Sequence, residues 1–328
     1  LKDAQAALER FDTHPFDRNI DLGAGISARF IPAGHLLGAA QIRLEIGDRV
    51  IHFSGDLGHD PDPLMRAPRP FGGADVLVCE STYGNRSHPD TDPEAELAPI
   101  LKRTFARGGT VLIPSFAVGR AQGLMLHIAR LMARGDIPYV PVYLNSPMAV
   151  DATEIDHNYH EEHHVSREDC AAMFRIAKRV NTVEQSKELN TRQGPMIIIS
   201  ASGMLTGGRI LHHLVSFGGD PRNTILLSGF QAGGTRGAAL ADGAQNLRMF
   251  GREFPIGAEV VQLKTFSGHA DADEILRWMS AAPAPEMTYL THGEPTAADT
   301  LRFRVDHELG RSVRVPEHLE SINLDRPR

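Results

Sequence analysis

The sequence predicts an α/β protein in which one domain is interrupted by an inserted second domain, and three observations carry that reading. Apolar, strand-like runs near the start each end in a glycine-containing turn with a polar residue, at His35, Asp56 and Glu80. From Thr91 the texture changes to longer, alternating helices and buried strands, the pattern of a parallel, doubly wound unit. From about Ala258 the opening pattern returns as strand, His269, helix, strand, His292. The expected boundaries are 1–92 for the first part of the interrupted domain, 93–257 for the insert and 258–328 for the closing part.

In order, Lys2 to Phe11 reads as the end of an amphipathic helix, and a start at Leu1 rather than Met predicts a natural amino terminus upstream. Ile26, Ala28 and Phe30 alternate as a strand leading to Pro32-Ala33-Gly34-His35. Ile42, Leu44 and Ile46 follow, Gly47-Asp48 supplies a hairpin turn, and Val50 to Phe53 returns to deliver Ser54-Gly55-Asp56-Leu57-Gly58. Asp75 to Cys79 is a third run, ending at Glu80. Thr91 to Glu94 fits a capping box with Pro93 early in the helix, Leu97, Ile100, Leu101 and Phe105 form its buried stripe, and Gly108-Gly109 stops it. Buried strands at 111–113, 140–144, 196–199 and 225–227 follow, with a helix from about Val118 to Arg134. In the closing part Asp271 caps a short helix, Glu274 stands three residues on, and Ile275, Leu276 and Met279 form the apolar stripe. Two histidines delivered by turns after strands can face one site, although a single turn histidine is more often only that.

Bulk properties exclude several classes. With 328 residues, the chain can bury one large core or two smaller ones. No apolar run approaches a membrane span, so no membrane partner is expected. Cys79 and Cys170 are the only cysteines, which excludes a disulfide framework or thiolate zinc cluster and fits a reducing compartment, the cytoplasm. A net charge of −7 argues against a general nucleic-acid coat, and 6% aromatics against a single-strand binder built on base stacking.

His35, Asp56 and His292 are imidazole and carboxylate donors, a set that suits zinc. PAGHLLGAAQ, FSGDLG, ESTYGNR, PSFAVGRAQ, SASGML, FSGHAD and THGEP, seven motifs in order, together resemble the β-CASP branch of the metallo-β-lactamase superfamily, the RNA- and DNA-processing nucleases. The resemblance implies a four-layer αββα metallo-β-lactamase fold, shortened at its amino end, with an inserted parallel α/β β-CASP domain. It implies two zinc ions per active site, with His35 on one, Asp56 bridging both and His292 on the second. Catalysis then rests on Asp56, Glu80 and His269, with His269 as general acid oriented by Glu80. It also implies single-stranded RNA as substrate and partner, and allows a homodimer. The family's HxHxDH motif is absent from this sequence, leaving each zinc two of its protein ligands where a catalytic site needs at least three. The expectation is therefore that the chain as cut binds zinc weakly and does not cleave, whereas the full-length parent is a zinc-dependent ribonuclease.

The insert offers candidate substrate-binding residues. Ser200, Ser202 and Gly203 lie in a glycine-rich turn opening a helix at Arg209, Arg236 lies in a second such turn, and Arg120, early in its helix after Ser115, is another candidate. Each alone is more often a tight strand-to-helix turn. His160-Glu161-Glu162-His163-His164 satisfies the HExxH protease pattern, but that reading leaves the seven ordered motifs unexplained, and incidental metal binding is the better use of the cluster. Two alternatives to a ribonuclease remain: a non-catalytic scaffold or RNA-binding subunit, and a small-molecule metallo-hydrolase, which would lack the insert and the Glu80/His269 pair.

Overall fold

The structure is a computed structural model that describes residues 2–60 and 62–324; Leu1, Pro61 and 325–328, which the boundaries above include, lie outside the described residues. The chain forms two compact units, the first from residues 1–60, 67–87 and 269–328 and the second from 61–66 and 88–268.

The first unit is built on a seven-stranded sheet ordered Asn19–Gly23, Ile26–Pro32, Ala40–Ile46, Arg49–Phe53, Val76–Glu80, Met287–Thr291, Val313–Arg314. The first four strands pair antiparallel and the rest pair parallel. Strand alternation sorts its side chains onto two faces. Leu77, Cys79 and Leu290 pack with Ile275, Leu276 and Met279 of helix Ala272–Met279 and with Leu301 and Val305 of helix Pro295–Leu309. Val76, Val78, Tyr289 and Ile51 lie in a smaller cluster that includes Leu44 and Phe53. The described residues of this unit thus show one sheet with its helices, where the four-layer arrangement implies two sheets. Helix Lys2–Leu8 buries none of its residues, so no apolar stripe of it is used.

The second unit holds six parallel strands ordered Glu259–Gln262, Thr224–Leu227, Thr110–Pro114, Met196–Ser200, Val142–Leu144, Ala177–Arg179. Strands Thr110–Pro114 and Met196–Ser200 are buried at every residue, as expected of a parallel sheet covered on both faces. Two expectations change here. Strand Glu259–Gln262 belongs to this sheet, so the return to the first unit comes at His269 rather than Ala258. Asp92, not Thr91, caps helix Pro93–Ala106 by accepting from the Glu94 amide. Glu94 makes no capping box because its carboxylate is bound by His127 at 2.9 Å and by Arg134.

Candidate active site

Four residues of the candidate site stand at or just after the end of a strand of the first unit. His35 follows Ile26–Pro32, Asp56 follows Arg49–Phe53, Glu80 ends Val76–Glu80 and His292 follows Met287–Thr291. Glycines allow these turns to press together. A Cβ on Gly58 would stand 2.2 Å from the Gly34 carbonyl oxygen and 2.9 Å from the His35 nitrogen, so only glycine lets the Asp56 turn lie against the His35 turn. Likewise a Cβ on Gly293 would stand 2.3 Å from Ser81 Oγ, which seats the His292 turn beside Glu80's neighbour. His269 joins through backbone: it bridges Gly58, and Ala270 N donates to Leu57 O at 2.8 Å. Asp271 and Glu274 then form the expected capping box of helix Ala272–Met279, which anchors that turn.

His35, Asp56 and His269 each bring a donor atom to within 4.8 Å of the others, all partly buried. The rings of His35 and His269 are 4.2 Å apart at their centroids. His292 approaches from the more exposed side, its Nδ1 3.3 Å from Asp56 Oδ1. It adopts a left-handed backbone with φ of 54°, uncommon for a non-glycine residue, and Thr82 Oγ1 donates to its carbonyl at 3.0 Å.

Glu80 is 2% exposed, with Oε1 accepting from the Leu57 amide and 3.2 Å from His269 Nδ1, and Oε2 accepting from Thr82 N. Burial pushes its carboxyl up, but the hydrogen bond and charge of His269, with the Thr82 and Leu57 contacts, outweigh burial and hold it below its usual range. An ionised Glu80 accepts only, so His269 carries its proton on Nδ1 and Nε2 is the basic nitrogen of the neutral ring. This carboxylate–imidazole pairing orients a metal-binding histidine as well as it orients a general acid.

The donors fit zinc in kind: two imidazoles and a carboxylate, half-buried and mutually close. The three-donor group contains His269, which the resemblance makes the general acid, while His292, expected with Asp56 on the second ion, lies beside Asp56.

Residues 121–240 match the family described as the Beta-Casp domain, and 253–316 match the Zn-dependent metallo-hydrolase RNA specificity domain. Ribonuclease TTHA0252 of Thermus thermophilus is 37% identical over 303 residues, 89% of this chain and 68% of the relative. The chain belongs to the β-CASP family of metallo-β-lactamase nucleases. An RNase J-like protein of Methanocaldococcus jannaschii is 32% identical, over 89% of the chain and 70% of its own length. The transcription termination factor FttA of Pyrococcus abyssi is 32% identical over 98% of the chain, which spans 52% of that relative. As a β-CASP protein with a zinc-dependent metallo-hydrolase domain, the chain is a hydrolytic nuclease by class.

The β-CASP unit treats the expected substrate-binding residues unevenly. Ser115 and Ser200 are each 1% exposed, and their hydroxyls donate to the Phe116 and Asn145 carbonyls. Arg236 donates to the carbonyls of Leu205, Thr206 and Arg248, so it ties two loops together. Ser202 Oγ accepts from Thr206 N, and Gly203 lies against Phe116, where a Cβ would be 3.0 Å from its nitrogen. Arg120 opens helix Arg120–Ala133 and lies beside Gly229. The helix expected to open at Arg209 runs from Ile210 to Phe217, and Arg209's guanidinium is spent on Asn145, Val180 and Asn181.

The HExxH reading fails on geometry. The preceding helix ends at Asn158, and His160, His163 and His164 hydrogen-bond to Arg167, the Asp156 carbonyl and the Asp62 carbonyl respectively. His59 Nδ1 lies 2.9 Å from Glu274, whose carboxylate also accepts from the Asp60 and Asp271 amides. The capping pattern gave away Glu274's first role but not this second one, which ties the Asp56 turn to the His269 helix.

Proposed function

We propose that the chain is the catalytic portion of a zinc-dependent ribonuclease that hydrolyses phosphodiester bonds of single-stranded RNA with two metal ions. The observation that supports it most is the convergence of His35, Asp56 and His269 on one position, with buried Glu80 behind His269. Zinc there supplies a Lewis acid for the phosphoryl oxygens and lowers the pKa of water toward neutrality. Asp56 and His35 would hold the metal, and His292 beside Asp56 would be the donor toward the second. In its protonated form His269, with Nδ1–H held on Glu80, would give its Nε2 proton to the departing sugar oxygen and return to the Nδ1–H tautomer, and the Glu80 carboxylate stabilises the ring while it is charged. His269 can instead serve as a ligand, because its ring shares the three-donor group.

Three side chains, His35, Asp56 and His292, cannot complete two zinc shells. With Asp56 shared, each ion has two protein donors, so activity requires further ligands beyond these. The test is cleavage of a 5′-phosphorylated RNA oligonucleotide by this chain and by a version extended upstream, each with zinc or with a chelator. Zinc-dependent cutting by the extended version supports the proposal. RNA binding without cutting by a zinc-loaded extended version would replace it with the scaffold reading.

A further inference from the structure

The β-CASP unit brings a histidine and a cysteine together outside the candidate active site. His157 lies in the last turn of helix Pro147–Asn158, and Cys170 in helix Arg167–Ile176. Cys170 Sγ and His157 Nδ1 are 3.8 Å apart. A tetrahedral ion bonded to one imidazole nitrogen and one thiolate sets those atoms roughly 3.6 Å apart, so the pair needs little movement to share one. The His157 ring is held by stacking on Phe174, with centroids 4.6 Å apart and planes at 24°. His157 and Cys170 line an open cavity of about 250 Å³ together with Asn158, His160 and Arg167.

A second observation points to a cation. Asp156 is 7% exposed, and its Oδ2 has no hydrogen-bond partner. Burial raises the Asp156 carboxyl to about 6, and burial together with the Asp156 charge pushes the Cys170 thiol up. A buried acceptor left unsatisfied is costly, and a positive ion at the neighbouring thiol would offset that cost. Nearby cations do not forbid it: Arg179, over the Phe174 ring, is answered by Glu154 at 2.7 Å, and Arg167 is exposed.

We propose that His157 and Cys170, joined by His160, bind one thiophilic divalent cation such as zinc, apart from the His35–Asp56–His269 group. Binding sends the thiol proton of Cys170 to solvent, and sulfur and nitrogen lone pairs fill the metal's positions without any change of oxidation state. His160 Nε2, now 3.0 Å from Arg167 Nη2, exchanges that hydrogen bond for the metal. The ion would pin the end of the first helix to the second across the loop between them, a structural role that the HExxH pattern in the same loop does not describe.

Cobalt is the probe, because a thiolate ligand gives Co²⁺ an intense near-ultraviolet charge-transfer band that imidazole and carboxylate ligands do not. The chain has two cysteines, and Cys79 is fully buried in the core of the other unit. Titrating the folded protein should raise this band to saturation at one thiolate-bound cobalt per chain. Cys170→Ser should abolish it, and His157→Ala and His160→Ala should each weaken binding roughly tenfold or more, since even outer-shell partners of a metal cost that much. His35→Ala should leave the band unchanged. No band in folded wild-type protein, or one that survives Cys170→Ser, overturns the proposal. If Cys170→Ser does not fold, His160→Ala on the loop decides: an unchanged affinity removes His160, and with it the site as drawn.

Discussion

Replacing Glu80 by Gln probes the pairing on which the proposed chemistry turns. The carboxylate is 2% exposed and accepts from Leu57 N, Thr82 N and His269 Nδ1, so it has no access to water that could substitute for its charge. Gln is close to it in volume and keeps one acceptor oxygen, but loses the charge. A hydrogen bond to a charged group contributes about 1.5–3 kcal/mol and a neutral one about 1 kcal/mol, so a protonated His269 loses about 1–2 kcal/mol of support. At about 1.4 kcal/mol per tenfold, single-turnover cleavage of an RNA oligonucleotide by the zinc-loaded, active protein should slow by about 5- to 30-fold. The basic limb of its pH–rate profile should move to lower pH, because the ring holds its proton less firmly without the carboxylate. Zinc content, measured on the same samples, should stay within error. An unchanged rate would refute the role of Glu80. A fall in rate matched by an equal loss of zinc would instead make His269 a metal ligand and Glu80 its support.

Three further outcomes follow from the packing. Burial, with the Arg43 charge, lowers His52 to about 4, and burial, with His212 and Arg209, lowers His213 to about 4, so both rings are neutral in the fold. Their stabilising effect is complete above the unfolded value of about 6.5 and is lost as pH falls toward 4, by about 2 kcal/mol each at pH 5; urea midpoints that stay flat from pH 7 to 5 would contradict this. Gly58→Ala should destabilise the first unit by about 2–3 kcal/mol and weaken zinc binding, since the Gly34 backbone 2.2 Å away cannot yield as a side chain could; chemical denaturation with metal analysis checks both. Asp271→Ala removes the cap of helix Ala272–Met279 and should cost about 1 kcal/mol, a fall of about 2–4 °C in the thermal midpoint by calorimetry.

Local chemistry made some of this readable and left the rest unreadable. The capping box at Asp271 and Glu274 is a four-residue rule, and it forms as the sequence indicates. The turns of His35, Asp56, Glu80 and His292 were visible because each follows an apolar strand and contains or adjoins glycine. What was not visible is which strand pairs with which. Glu259–Gln262 has the same alternating look as a strand of the first unit, yet it pairs with Thr224–Leu227, and nothing local encodes a partner so distant in sequence. Asn19–Gly23 went unseen because it is an edge strand with four of five residues exposed and only two apolar positions, Ile20 and Leu22. The hairpin of Asn246–Met249 and Arg252–Pro255 turns on Phe250 and Gly251, both at positive φ, and Phe is a poor signal for a turn that usually takes Asn or Asp first. In the site, the residue types were legible but the distances were not. That His269 comes close to His35 and Asp56 depends on the backbone bridge between His269 and Gly58.

The central claim is that His269 donates a proton while His35 and Asp56 hold zinc, and one paired measurement reaches it: zinc content and RNA cleavage of an active, upstream-extended protein and its His269→Ala variant. Retained zinc with cleavage reduced by about 10²- to 10⁴-fold is the expected result for the loss of a general acid. Zinc lost in step with cleavage, or cleavage that persists undiminished, would contradict it.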